Sequence, residues 1–456
     1  MRLPASLGAL AIATFAVSAR AEDAPRPPPP SPPERVIDFD ALRAELARQA
    51  AELHALHDAL DDETNAREHP RVRVSGFLQV DWVVHDQASQ DEINDSNGTL
   101  LNQDRFTLRR GHVRIDAEQG IVSGALEIDA NTTNGPQVRP IDAEVSVRWP
   151  EKEDPRLPTL RATAGLMHIP FGYEVSELDW VRPFLERATV LQALFPGEYD
   201  LGARLRAKYR FLDLGVAVMN GNPIGTKEFP DLDPVHAKDV VGRVGVDVEL
   251  APGVRLQAGV SADTGTGFHP GTPTTKSVLV WQDMNGDGVV QPNEIVVIPG
   301  SAATPSQLFH RFAIGGDARL AVRLPFLGDL SFRGEVVTAV NMDRGLEVAD
   351  PVATGRDLRE LGWYAGVTQE ITRWGMIGVR YDHYDPDADA SAQRGVSLVP
   401  VNRSYGTLAL MAMVRYGDQR LLLEYDVNSN PLGISPDGSP TTLADNALTL
   451  RAQLVF

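Results

Sequence analysis

Val72-Arg73-Val74-Ser75-Gly76-Phe77-Leu78-Gln79-Val80-Asp81-Trp82-Val83-Val84 alternates apolar and polar side chains with a period of two. Val72, Val74, Gly76, Leu78, Val80, Trp82 and Val84 fall on one face, and Arg73, Ser75, Gln79, Asp81 and then His85 on the other. Successive side chains of a strand point to opposite faces, so the stretch reads as a strand with one apolar and one polar side. Ile141, Ala143, Val145, Val147 and Trp149 repeat the pattern against Asp142, Glu144, Ser146 and Arg148. So do Val240, Gly242, Val244, Val246, Val248 and Leu250 against Arg243, Asp247 and Glu249. A soluble β-sandwich alternates as well, so no single segment decides between sandwich and barrel.

The number and spacing of the segments decide it. About sixteen lie between 72 and 456, an even number, as bacterial membrane barrels have. Tight connections, such as those at 118–120, Leu212-Asp213, 325–329 and 371–374, alternate with long polar ones at 86–104, 170–200, 263–308 and 382–402. Short turns at one end and long loops at the other are the asymmetry of an outer-membrane barrel. Trp149, Tyr209, Trp363, Trp374, Tyr416 and Tyr425 stand near strand ends, where an interfacial girdle would sit. The chain closes on Leu448, Leu450, Ala452, Leu454 and Phe456, which resembles the C-terminal signal that marks outer-membrane barrels for assembly. The expected fold is a sixteen-stranded antiparallel transmembrane β-barrel over 71–456, in the outer membrane of a Gram-negative cell.

The segment before the barrel has a different grammar. Arg2, an apolar run from Leu7 to Val17 and Ala19-Arg20-Ala21 read as a signal peptide (1–21) cleaved after Ala21. A proline-rich spacer (22–37) follows and favours an extended, stiff conformation. Phe39, Leu42, Leu46, Gln49, Leu53, Leu56 and Leu60 then recur at spacings of three and four, an a/d seam about three heptads long within a helix at 38–66. A coiled coil and a single amphipathic helix both satisfy that seam. His54 and His57 read as solvated residues of this helix. The net charge of −19 argues against a nucleic-acid partner, and the absence of cysteine excludes disulfides and thiolate chemistry.

Specific motifs gather around the third long loop. Gly165-Leu-Met-His-Ile-Pro170-Phe171-Gly172-Tyr-Glu174 is followed by Phe184-Leu-Glu186-Arg187-Ala and by Pro196-Gly197-Glu-Tyr-Asp200-Leu-Gly202. Phe106-Thr-Leu-Arg109-Arg110-Gly111 lies upstream. This arrangement resembles the phosphate-selective porin family, porins O and P. The resemblance implies a homotrimer of sixteen-stranded barrels embedded in outer-membrane lipid. It further implies a third loop folded inward to narrow each pore, and basic residues inside the channel.

An open barrel of this size leaves a wide aqueous channel, so selectivity needs an internal constriction with chosen charges. Arg204, Arg206, Lys208 and Arg210 alternate with Leu205, Ala207 and Tyr209 and are expected to face the lumen, where such a row concentrates anions. Arg109 and Arg110 match basic positions of the family's second strand. Ordinary lumen charges paired across the barrel would show the same pattern. The constriction loop itself is acidic, with Glu174, Glu177, Asp179, Glu186, Glu198 and Asp200 against only Arg182 and Arg187. That departs from a phosphate-selective eyelet and leaves a cation-preferring or non-specific porin open.

In the longest loop, Asp283, Asn285, Asp287, Gly288, Val289 and Glu294 occupy positions 1, 3, 5, 6, 7 and 12 of an EF-hand loop pattern. Short strands rather than helices flank it, so structural calcium stiffening an extracellular hairpin is the expectation, against a plain polar turn. Three functions compete: a porin passing small polar or anionic solutes such as phosphate or polyphosphate, a tether joining the outer membrane to the cell wall through its stalk, and a barrel enzyme. The third lacks any recognisable set of nucleophile, base and orienting group.

Overall fold

The computed structural model describes residues 44–45, 47–55, 57, 70–88, 102–151, 156–229, 232–394, 396–434 and 440–456. Sixteen antiparallel strands close into one barrel in sequence order. They are β1 (Arg71–His85), β2 (Arg105–Gln119), β3 (Val122–Asn131), β4 (Gln137–Trp149), β5 (Thr159–His168) and β6 (Tyr199–Tyr209). Next come β7 (Leu212–Met219), β8 (Asp239–Ala251), β9 (Val254–His269), β10 (Gln307–Leu324) and β11 (Gly328–Val340). The ring is completed by β12 (Arg359–Glu370), β13 (Gly375–Asp385), β14 (Tyr405–Tyr416), β15 (Gln419–Ser429) and β16 (Ala447–Val455). β1 pairs with β16 from Phe77 opposite Val455 to His85 opposite Ala447, which leaves no free edge in the wall.

The wall is apolar outside and polar inside. Val72, Val74, Leu78, Val80 and Trp82 are exposed, whereas Gln79 and Asp81 are 1% and 5% exposed. A soluble sandwich would bury the opposite face of the same strand. With every strand paired to two neighbours and an apolar exterior, this is an outer-membrane barrel. Gly76 shows how tightly the seam fits. It exchanges two 2.9 Å backbone hydrogen bonds with Phe456, and a side chain there would lie 2.3 Å from the His112 carbonyl oxygen and 2.8 Å from the Phe456 ring.

The end asymmetry is present with two exceptions, the short connection 132–136 between β3 and β4 and the nine-residue connection 150–158 between β4 and β5. Two details differ from the expectation. The turn after β6 is 210–211 rather than Leu212-Asp213, so Arg210 leaves the basic row: it adopts φ 55° in the turn, its guanidinium 5.2 Å from the Tyr209 ring. Ile141 does not share the outward face of Val145 and Val147. The register slips between Glu127 and Ile128, where Asp142 and Pro140 are the partners, and the extra residue turns Ile141 inward against Leu166 and Tyr199.

The loop 169–198 enters the barrel and carries a short helix, α1 (Thr189–Leu194). Its Phe171, Val175, Val190, Leu191, Leu194 and Phe195 pack on inward-facing Ala217, Val241, Ala313, Val337, Ala339, Tyr364 and Tyr384. The lumen face of β7 to β13 is therefore locally apolar, which seats the loop against one side of the wall. Gly362 makes room for it, since a side chain there would meet the Val190 Cβ at 2.4 Å.

Residues 44–57 are helical where described, with Arg48 3.4 Å from Glu45 and 3.6 Å from Glu52 and with Leu53 exposed. The signal segment 1–21, the spacer 22–37 and most of the a/d seam lie outside the described residues. The chain divides into units at 1–63 and 64–456.

Candidate functional site

The inserted loop divides the lumen into two vestibules. The one toward the short turns has a volume of about 1110 Å³, is roofed by loop residues from Pro170 to Pro183, and has Arg204, Arg206 and Lys208 in its wall. The other, of about 760 Å³, has Glu186, Arg187 and Thr189 for its floor. Between them, the loop meets β1, β2 and β16 at a neck packed with charged side chains.

A bulge builds the basic side of that neck. Gln79 opposes Arg110 and Val80 opposes Leu108, so Arg109 is an extra residue in β2. Adjacent residues of a regular strand point to opposite faces, but this bulge lets both arginines face the lumen. Arg109 Nε donates to Glu186 Oε1 at 2.9 Å, and Arg110 Nη2 donates to Glu186 Oε2 at 2.8 Å. Arg451 of β16 reaches the same carboxylate at 2.9 Å while holding Asp81 with two 2.7 Å bonds.

The remaining loop acids are also engaged. Asp179 lies 3.2 Å from Arg110 and accepts from Arg182 at 2.8 Å. Glu198 lies between Arg182 and Arg187, at 3.2 and 2.6 Å. Glu177 meets Arg333 at 3.2 Å and Glu174 meets Arg380 at 3.4 Å. Asp200 accepts from the backbone of Gly221 and Leu201 instead. At the neck, the guanidinium groups of Arg109, Arg110, Arg182, Arg187 and Arg451 thus meet the carboxylates of Asp81, Asp179, Glu186 and Glu198, five against four. The loop is acidic by itself, yet the neck it forms with the wall is not.

The wall also grips the main chain of the loop. Glu335 accepts from the amides of Tyr173 and Glu174, and Glu424 accepts from that of Leu185. Arg380, Arg420, Arg451 and Gln453 donate to the carbonyls of Glu186, Arg182, Leu185 and Trp180.

Among solved structures, the outer membrane channel DcaP of Acinetobacter baumannii matches with a TM-score of 0.53 and 12% identity, over 86% of this chain and 98% of that one. The fold is that of the outer-membrane porins. The anion-selective porin from Comamonas acidovorans also matches, with a TM-score of 0.47 and 10% identity, over 85% of this chain and all of that one. OmpT of Vibrio cholerae, in its trimer form, matches with a TM-score of 0.47 and 9% identity over the same shares. No family model and no curated protein sequence matches the chain.

In this barrel the basic row extends sideways as well as along β6. Arg206 stands opposite Arg161 of β5, and Arg161 opposite Arg148 of β4. Like charges directly opposite one another are unfavourable without counter-ions. Arg204 has Glu144 at 3.5 Å and Arg206 pairs with Asp213, but among the described residues Arg161 bonds Ser123 and has no carboxylate within ion-pair distance. Among the described residues Lys208, Arg319 and Arg420 likewise have no carboxylate within ion-pair distance: Arg319 bonds Ser331 and Tyr173, and Arg420 bonds a carbonyl. Sequence reading missed Arg161, Arg319, Arg420 and Arg451. The alternation of their strands would have placed each of them on the lumen face.

The calcium-like loop sits on a two-stranded ribbon, Val278–Trp281 with Ile295–Ile298. Asp283 accepts from the amides of Gly286 and Gly288 at 2.7 and 2.9 Å, Asn285 from Asp287 at 2.9 Å, and Asp287 from Val289 at 2.7 Å. Gly286 and Gly288 have φ near +70°, which the sharp turn requires. Glu294 is 1% exposed and accepts from the Trp281 indole at 3.0 Å. The donor set is all oxygen, as a hard cation prefers, but these oxygens are turned to the loop's own N–H groups.

Proposed function

We propose that this chain is a passive porin for small polar solutes with a preference for anions, phosphate and polyphosphate among them. The pairing of the loop carboxylates with wall arginines carries this reading, because it leaves Arg161, Lys208, Arg319 and Arg420 on the vestibule wall without a carboxylate at ion-pair distance among the described residues. Their summed potential raises the local concentration of anions, and guanidinium groups match phosphate oxygens in geometry. The basic positions shared with phosphate-selective porins agree with it. A non-specific or cation-preferring porin is the second reading, favoured by Asp382, Glu424 and Asp426 in the outer vestibule.

Reversal potential in a salt gradient tests the first reading. Replacing Arg204, Arg206 and Lys208 together by Gln is expected to shift selectivity toward cations at low salt. The shift should fade near 1 M, where the Debye length is about 3 Å. A cation-selective wild-type channel, or a triple variant with unchanged reversal potential, rejects the anion reading.

Our reading of the assembly is a homotrimer whose helices at 38–66 join as a coiled-coil stalk, with the proline-rich spacer extending it toward the cell wall as a tether. We also assign structural calcium to the loop at 283–294, held by Asp283, Asn285, Asp287, the Val289 carbonyl and Glu294.

A further inference from the structure

We propose that the groove between the turns 371–374 and 417–418 binds the phosphate headgroup of an anionic phospholipid in the periplasm-facing leaflet. The groove has a volume of about 460 Å³ and is formed by Arg373, Trp374, Arg415, Tyr416 and Gly417. It lies at the short-turn rim of the barrel, where Arg415 also borders the lumen vestibule.

Three observations point to an anionic lipid. The Arg373 guanidinium is 3.9 Å from the centre of the Trp374 ring, and among the described residues it has no carboxylate within ion-pair distance. Arg415, by contrast, is already bound to Glu370, so Arg373 is the groove's free cation. Stacking restrains the planar guanidinium of this exposed residue, the preorganisation that a phosphate oxygen pair needs.

Second, the aromatic groups stand where lipid headgroups lie. Trp374 is 48% and Tyr416 81% exposed, at the ends of strands whose outward residues Val414, Leu410, Ile377 and Val379 are exposed and apolar. A lipid whose phosphate meets Arg373 has an acyl track along β13 and β14. A free phosphate ion would gain nothing from that track, which commits the groove to lipid. Amphipathic rings at this depth are the usual interfacial anchors.

Third, the Arg415 amide donates to the Trp374 carbonyl at 2.7 Å, which ties the two turns together and keeps the groove formed. The turn after β6 supplies an internal comparison. Arg210 also covers an exposed ring, that of Tyr209, but at 5.2 Å rather than 3.9 Å.

The full chain in nanodiscs of mixed phosphatidylglycerol and phosphatidylcholine, released into native mass spectrometry, tests this. Wild-type barrels are expected to retain phosphatidylglycerol in preference to phosphatidylcholine. Arg373→Gln should weaken that retention about fivefold, as for one interfacial cation lost, while Arg210→Gln leaves it unchanged. Heat-modifiable mobility of each variant confirms that it folds, and Trp374→Leu gives a second route to the same loss. Equal retention by Arg373→Gln and wild type overturns the proposal. So does equal retention of the two lipids, or displacement of the lipid by inorganic phosphate alone.

Discussion

Glu186 concentrates the neck's electrostatics in one side chain, since Arg109, Arg110 and Arg451 all converge on it. Burial alone would raise its carboxyl, but the three guanidinium groups hold it well below the ordinary carboxylate range. A depressed carboxylate contributes its full stabilisation above the unfolded value, and loses it only as pH falls through the lower folded value. Glu186→Gln adds one net positive charge to the neck. At roughly 6 Å from the path in a watery dielectric that is worth about 0.7 kcal/mol to an anion and as much against a cation, roughly tenfold in the anion-to-cation permeability ratio. Bilayer reversal potentials should show this change undiminished from neutral pH down to about 4.5, near the carboxylate's unfolded value. A ratio unaltered by the substitution would remove Glu186 from the permeation path. None of this convergence was legible in the chain. Glu186 lies 77 and 76 positions from its first two partners and 265 from the third, and the bulge that turns Arg109 and Arg110 to one side has no local sequence mark.

Whole strands were far more legible than the contacts between them. The alternation at 72–84 was readable because lipid on one side and water on the other impose a period of two on every residue. It failed at Ile141, where one inserted residue reverses the face, and at Arg210, where the strand had already turned. The inserted loop carries no such period, and its apolar residues declare their purpose only against Ala217, Ala313 and Tyr364 across the lumen. The loop at 283–294 shows the opposite case, a motif whose spacing was plain and whose oxygens are occupied by its own amides. If calcium is held there, it competes with the Trp281 indole for Glu294 Oε2. Calcium is then expected to protect 263–308 from proteolysis and to change the fluorescence assigned to Trp281 by Trp281→Phe. Asp283→Ala and Glu294→Ala should abolish both effects and leave the barrel intact. Identical cleavage in calcium and in chelator would dismiss the ion.

At the scale of the molecule, closure of β1 on β16 makes the barrel one cooperative ring of pairings with no strand free to peel away. If the barrels assemble as the proposed trimer, the folded protein should migrate in detergent as a compact, β-rich trimer that converts to a slower monomer only on boiling. Deleting 38–66 should lower the temperature at which that trimer dissociates while leaving the monomeric barrel's own heat-modifiability unchanged. A trimer equally resistant without the helix assigns that segment another purpose. The grip of Glu335, Glu424, Arg420, Arg451 and Gln453 on the main chain of 169–198 has a consequence for descent. Amides and carbonyls survive every point mutation except those to proline, so this share of the docking does not depend on the exposed residues the segment carries, whereas its buried face of Phe171, Val190 and Leu194 must be kept. A lineage can rewrite exposed positions of the plug one at a time, and inherit a new diet of solutes with its architecture untouched.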